Sequence, residues 1–444
     1  MKITHYCNSF ISVNEGGSKI VCDPWLGKAD NNAWLSYPLH SNGARTLNSI
    51  NPEFIYISHL HNDHFDPKIL KRFKNKKQVK ILIKKFKFSR LKSKIFDLGF
   101  NKIIEIEPWK KIRINKFFTI TIIPQQSNNK DDIETEIVYD LDTSILIQSN
   151  ITKKLFYNNV DNPLSVKDVA KLNRFIKKEY KKKLDVTCFP IGGASEYPQC
   201  FVNVKKNIEK DKVISRSVAS TFNKLKILKP QVFFPAGGNY MIYGKFCKVN
   251  KYIAQPNNYL KIFSKFNKIN INSFNLEGGG YIYPSNLSWV AKNLKKTSKH
   301  KLVKEIEKIY MNDKYDYEYT KTKSNKLLDS MFKKSLNKYL NLMETKFKGI
   351  KWIINFYLYN NLKLQPNAKI SSVSKPTKKY TIQPKTFSRK VPILDCHLDR
   401  KLFYCLLSGK YNWNIALSGS LIHFKRKPNK FIPDIPFSLN FLTN

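Results

Sequence analysis

The 444-residue chain predicts an α/β fold, extended beyond its layered part by helices and a small further module. Three observations carry the prediction. Short β-rich runs alternate with helical stretches through roughly the first 290 residues, the pattern of helices layered on sheets. Hydrophobic residues make up 42% and aromatics 13%, enough apolar surface for a real core and too much for a disordered basic tail. No run of about 18 uncharged apolar residues occurs, so no spanning helix is expected.

The elements follow in order. Phe10 to Val13 and Lys19 to Cys22 flank Glu15-Gly16-Gly17-Ser18, a strand pair around a Gly-Gly turn. Phe54 to Ile57 is a buried-type strand that leads into a polar, His-rich loop and then an amphipathic stretch from Pro67 to Lys74. Lys80 to Ile83, Phe117 to Ile123, Ser144 to Gln148 and Leu155 to Tyr157 are further strands. Val204 to Leu228 reads as helix, stopped by Pro230 before the strand Val232 to Phe234. Residues 291–363 read as a mostly helical, lysine-rich extension, with Trp352 to Leu362 a core-facing helix. Residues 364–385 are rich in Ser, Pro, Thr and Lys and read as a linker or long loop, leaving 386–444 as the small module.

Charge and cysteines bound the partners and the compartment. The chain carries 79 Lys+Arg against 33 Asp+Glu, a net +46. Such an excess points to a polyanion, although the richness in Lys, Asn, Ile, Phe and Tyr is also what an AT-rich genome produces. Seven scattered cysteines without Cys-x-x-Cys spacing give neither a disulfide framework nor a zinc ribbon. The start MKITHYCNSFISV lacks the apolar stretch and cleavage site of a signal peptide, so a cytoplasmic protein is expected.

One segment carries chemistry. Ile55-Tyr56-Ile57-Ser58-His59-Leu60-His61-Asn62-Asp63-His64 packs three of the chain's eight histidines and a carboxylate into six residues, at the end of an apolar strand. In an extended loop His59 and His61 point to the same side and reach one cation; Asp63 and His64 turn onto a second position nearby. Imidazole suits Zn, Fe, Ni or Cu, and carboxylates add charge for a two-metal centre.

That H-x-H-x-D-H run resembles the signature of the metallo-β-lactamase superfamily, which implies an αββα sandwich holding one or two metals. Val21-Cys22-Asp23-Pro24-Trp25 resembles the family's early strand-to-loop segment, and Lys154 to Asp161 resembles the later strand ending in a metal-bridging aspartate, here Asp161. Asp63 and Asp161 are thereby also the candidate catalytic carboxylates. Hydrolases of the fold usually add a histidine between these motifs and another later, but no histidine occurs from Phe65 to Lys299. A carboxylate could take the first missing place. Glu134, Glu136, Asp140 and Asp142 all qualify, and Glu136 and Asp142 are taken forward as ligand candidates. Three histidines with two or three carboxylates suit iron better than zinc, with zinc the alternative.

Within the superfamily, Ile55 to His64, Val160-Asp161, Ile191 to Pro198 and Phe234 to Gly238 are most similar to the metallo-β-lactamase-type part of CMP-N-acetylneuraminate hydroxylase and its bacterial relatives. The resemblance implies hydroxylation of a nucleotide-activated or acidic sugar with iron and dioxygen. The animal enzyme also carries a Rieske domain, whose Cys-x-His and Cys-x-x-His pairs this sequence lacks, so electrons would come from a separate protein. Where the family has an acid and a histidine after the last motif, this chain has Asn239 to Lys245 with neither. Two other classes stay open: a metal-dependent hydrolase of a phosphoester or related bond, and a non-catalytic sugar- or nucleic-acid-binding protein on a degenerate metal scaffold.

The pairs Gly192-Gly193 and Gly237-Gly238 let backbone N–H groups approach a ligand, and consecutive N–H groups can form an anion nest, so these four glycines are the substrate-binding candidates. Simple tight turns would explain them equally. The densest basic runs are Lys71 to Lys94 and Arg174 to Lys183, and the latter spreads lysines around a helix and reads as a solvated face. No nucleic-acid module is visible. A small anionic substrate, or peripheral contact with an acidic membrane, is therefore expected ahead of DNA or RNA.

Overall fold

The computed structural model of the chain describes all residues except 30, 38–41, 87–88, 126–141, 257, 293–298, 348 and 385–389. Two sheets lie face to face. The first has eight strands in the order Ser288–Val290, Gly280–Tyr283, Lys2–Cys7, Phe10–Glu15, Ser18–Cys22, Phe54–Tyr56, Lys80–Lys84, Ile103–Ile106. The second has seven: Asn272–Ser273, Val232–Pro235, Val186–Phe189, Leu155–Asn158, Thr143–Ser149, Phe118–Pro124, Ile112–Arg113.

Side-chain alternation explains the layers. Phe54 and Tyr56 point into the core between the sheets, where they meet Ile120, Ile145, Ile147 and Phe156, while Ile55 points the other way. Both faces of these strands are therefore apolar, and each sheet needs a helical cover. On the first sheet, helices Gly43–Ile50, Pro67–Lys71 and Arg90–Asp97 bury Leu47, Ile69, Leu70, Leu91 and Ile95 against Ile55, Ile81 and Ile83. On the second, Val166–Phe175, Lys206–Leu228 and Leu260–Asn267 cover Leu146, Tyr157 and Phe233. This is the αββα sandwich. The expected hairpin is present, with Glu15 opposite Ser18 and positive φ at Gly16 (56°) and Gly17 (86°), as a two-residue turn of this kind needs.

Chain direction places the site. Ser18–Cys22, Phe54–Tyr56, Lys80–Lys84 and Ile103–Ile106 run parallel, as do Leu155–Asn158, Val186–Phe189 and Val232–Pro235. The loops after Cys22, Tyr56, Asn158, Phe189 and Pro235 therefore leave from carboxyl ends of parallel strands, where α/β sheets hold their ligands. Thr143–Ser149 is antiparallel to Leu155–Asn158, which brings its leading end, next to Asp142, to the same edge.

Beyond the sandwich come two long lysine-rich helices, Lys299–Tyr310 and Asn325–Phe347. Three expectations are corrected. Trp352 to Leu362 is not a helix: Ile353–Tyr359 is a strand, because its β-branched and aromatic residues bury Ile354, Phe356 and Leu358 at a period of two. The stretch 364–385 is not simply a linker, since Lys378–Ile382 pairs with that strand and buries Tyr380 and Ile382. Residues 386–444 are not a separate module either. Ile393–Asp399 and His423–Lys427 complete the same four-stranded sheet, so the boundaries at 363 and 385 cut through one sheet.

This sheet packs on the sandwich. Phe424 pairs with Phe201 through backbone bonds to Cys200 and Val202, and Trp34 Nε1 donates to the Ser418 carbonyl at 3.1 Å. All seven cysteines are buried and free. Among the described residues no helix is long and apolar enough to cross a membrane. Lys177, Lys178, Lys181 and Lys183 are exposed around the buried Ile176 and Tyr180, the solvated face expected of that run.

Candidate metal centre

Two groups of side chains converge at the strand edge. His59, His61 and Asp142 form one, and Asp63, His64 and Asp161 the other; within each group the possible ligand atoms lie within 4.8 Å of one another. His59 Nε2 is 2.7 Å from His61 Nδ1 and 3.1 Å from Asp142 Oδ1. His64 Nε2 is 3.2 Å from Asp63 Oδ2 and 3.3 Å from Asp161 Oδ2. The rings of His59 and His64 are 4.3 Å apart, so the groups adjoin. The H-x-H-x-D-H run divides between the two groups, His59 and His61 in one and Asp63 and His64 in the other. Of the four acids considered, Asp142 is brought in, whereas Glu134, Glu136 and Asp140 lie outside the described residues. Asp161, expected to bridge, makes its contacts in the second group.

The donors fit cations. Two imidazole nitrogens facing each other at 2.7 Å leave at most one proton between them, and a cation satisfies both lone pairs. Asp161 Oδ1 is buried with no hydrogen-bond partner among the described residues, an expensive state for a carboxylate oxygen that a cation relieves.

Asp23 sets the orientation of two rings. At the left-handed turn after Ser18–Cys22 (φ 41°), it accepts from Ser58 N and Ser58 Oγ at 2.8 Å each, and lies 3.0 Å from His64 Nδ1. Ser58 Oγ, its own proton given to Asp23, accepts from His59 Nδ1 at 2.8 Å. Both rings thereby carry a proton on Nδ1 and turn Nε2 inward, the orientation of a carboxylate-oriented metal histidine. Asn8 Nδ2 donates to Asp63 Oδ2 at 3.0 Å and holds that carboxylate. The Val21 to Trp25 segment stands out in sequence, but the orienting role of Asp23 does not, nor does that of Asn8. Both roles are set by how neighbouring strands approach.

Electrostatics follow the packing. Burial drives His59 well below the ordinary imidazole range, reinforced by His64 and His61, which keeps it neutral and able to coordinate. Burial also acts downward on His64, but Asp63 and Asp161 beside it outweigh that and hold it well above the usual value.

The glycines do other work than expected. Gly192 N donates to Ser217 Oγ, Gly193 N to Ala254 O and Gly237 N to Asn8 O, so three of the four N–H groups are spent inside the protein and form no anion nest. Gly238 offers its carbonyl to Gln255 Nε2. What these residues supply is close approach: a Cβ on Gly237 would sit 3.0 Å from Asp161 Oδ1. A cavity of about 740 Å³ lies between the Ser195-Glu196-Tyr197 loop and the C-terminal sheet. Gln125 and Asn414 line it and touch the centre directly, Gln125 Oε1 accepting from Asp142 N and Asn414 meeting His61. Arg216 and Arg426 line it too, with the Arg426 guanidinium 4.8 Å over Tyr197 and 4.6 Å over Phe201.

The four layers form an αββα sandwich of the metallo-β-lactamase type, and its edge carries two groups of side chains that could each hold a metal ion. No protein-family model matches the chain. A stretch of 106 residues, 24% of the chain, is 31% identical to a protein of Mycolicibacterium smegmatis described as a Rieske 2Fe-2S iron-sulfur protein. A stretch of 115 residues is 29% identical to one from Mycobacterium tuberculosis with the same description. The match covers only 20% and 22% of the length of these curated relatives. Among solved structures, the metallo hydrolase Igni18 of Ignicoccus hospitalis is 18% identical, with 63% of this chain and 97% of that one covered and a TM-score of 0.42. CmlA, a diiron β-hydroxylase from Streptomyces venezuelae, is 14% identical, covering 63% and 53%, also with a TM-score of 0.42.

Proposed function

We propose that the chain is a dinuclear metal-dependent oxygenase, with iron favoured over zinc, that acts on a small anionic substrate and draws electrons from a separate redox protein. The observation that carries the reading is Asp142 beside His59 and His61, which makes the donor set three imidazole nitrogens and three carboxylate groups. So oxygen-rich a set suits iron better than the imidazole-rich sites that zinc hydrolases of the fold use. When bound, such ions supply Lewis acidity and, as iron with a reductant, dioxygen chemistry. The chain's own residues would hold the ions, orient the His59 and His64 rings and enclose the substrate.

Sequence similarity to proteins described as Rieske iron–sulfur proteins supports a redox setting; the 444 residues themselves hold none of the Cys-x-His pairs of such a cluster. The cavity is of substrate size, and its guanidiniums Arg216 and Arg426 fit a carboxylate or phosphate, as on the acidic or nucleotide-activated sugar that the family resemblance implies.

Metal analysis of anaerobically purified protein tests the reading. Two irons per chain, with oxygen uptake that depends on added reductant, is the expected result. Stoichiometric zinc without oxygen uptake would sink it and leave the hydrolase. No bound metal, with ligand binding unchanged in His59→Ala, would leave a binding protein.

A further inference from the structure

We propose that Asn414, from the C-terminal sheet region, is a positioning residue of the metal centre that sets the proton of the His61 ring. The proposal rests on the metal-centre reading above. Of the three histidines, His59 and His64 have their outer nitrogens fixed through Ser58 and Asp23. His61 is turned the other way round: its inward atom is Nδ1, facing His59 Nε2, and its outward atom is Nε2. That outward nitrogen meets the Asn414 side-chain amide at 2.9 Å, across 353 residues of sequence.

The chemistry of an amide gives this contact two states. In the metal-free ring Nδ1 carries the proton toward His59, and Nε2 accepts from the Asn414 NH₂. A ring that coordinates through Nδ1 must carry its proton on Nε2, and it then needs an acceptor at the same place. A half-turn of the amide presents Asn414 Oδ1 there, because asparagine offers a donor and an acceptor from one position. Leucine offers neither, and aspartate offers only acceptors.

Asn414 is held where this requires. It is the second residue of helix Trp413–Ser418, whose N-cap Asn412 accepts from Asn414 N at 2.7 Å. Trp413 beside it is buried against Phe356 and Phe403 and donates through Nε1 to the Leu442 carbonyl at 2.8 Å. Ser418 Oγ donates to the Asn414 carbonyl, and the Ser418 carbonyl takes the Trp34 indole proton. Outer partners of metal histidines typically change metal affinity by about 10–100-fold.

The test is titration of the metal-free, full-length chain with Co(II), read by visible absorption, in the wild type, Asn414→Leu and Asn414→Asp. Asn414→Leu should weaken one of two Co(II) equivalents by roughly 10–100-fold and leave the other within about threefold. Asn414→Asp should restore that equivalent to wild-type affinity or tighter. Equal affinities in all three proteins would overturn the proposal. So would loss of both equivalents together with a lowered thermal midpoint in both variants, which would make Asn414 a packing residue. A wild-type chain that takes up no cobalt overturns the metal-centre reading itself, and this proposal with it.

Discussion

Asp23 anchors Ser58 N, Ser58 Oγ and His64 Nδ1 directly and, through Ser58, His59 Nδ1. Asp23→Asn should place an amide NH₂ against one of these donors, release the tautomer of His59 or His64, and lower metal affinity by about 10–100-fold in the same Co(II) titration. An unchanged titration would show that packing alone fixes the rings. A second residue prediction concerns Glu277, a buried acid that accepts from Asn239 and that burial pushes up to about 8 from 4.5. Between those values the folded chain keeps a proton that the unfolded chain has released. Stability therefore falls as pH rises from about 4.5 to about 8, by up to ~1.4 kcal/mol per pH unit. Glu277→Gln should flatten the dependence, matching wild type near pH 5 and exceeding it near pH 8 in thermal unfolding. His59, His61, Asp63 and His64 were legible because they are contiguous. Asp23, Asn8 and Asn414 were not, since nothing local marks a residue whose partner arrives from another segment.

At the scale of elements, the strands were readable because most are β-branched runs bounded by turn residues. The difference at Ile353–Tyr359 has a cause: the run is apolar at every position but Asn355, so its sequence shows no clear period, and strand and helix then look alike. The glycine loops were readable as tight approaches but not as to what they approach. Gly237, at φ 92°, comes so near Asp161 that a methyl would meet Oδ1 at 3.0 Å and Pro190 Cβ at 3.2 Å. Gly237→Ala should cost about 1–2 kcal/mol in backbone strain and push Asp161 aside. The check is loss of the metal equivalent that Asp63, His64 and Asp161 would hold, with the other retained.

At the scale of the molecule, one apolar core runs from the outer face of the first sheet, through Trp34 and Tyr240, to Phe356, Phe403 and Trp413. The ion pairs of Lys245 with Glu318 and Asp399 join the same parts. Trp413→Ala should lower stability by about 3–5 kcal/mol and, by freeing Asn414, weaken metal binding as well; denaturant unfolding and Co(II) titration read the two effects. The +46 charge was the plainest feature of the sequence and proved the least specific. Much of it is solvated, as in the run around Lys177 to Lys183, while the cavity beside the centre sets its two guanidiniums among carboxylates such as Glu196 and Glu209.

The contact between His61 and Asn414 also orders events in time. The histidine run leaves the ribosome early, yet its outer partner follows 353 residues later, and Asp142 and Asp161 emerge in between. At the usual pace of synthesis, ~5–20 residues per second, that interval lasts tens of seconds. Through it the nascent chain displays the His61 ring without its outer partner, so the contact that joins the C-terminal sheet region to the histidine loop is a late product of folding.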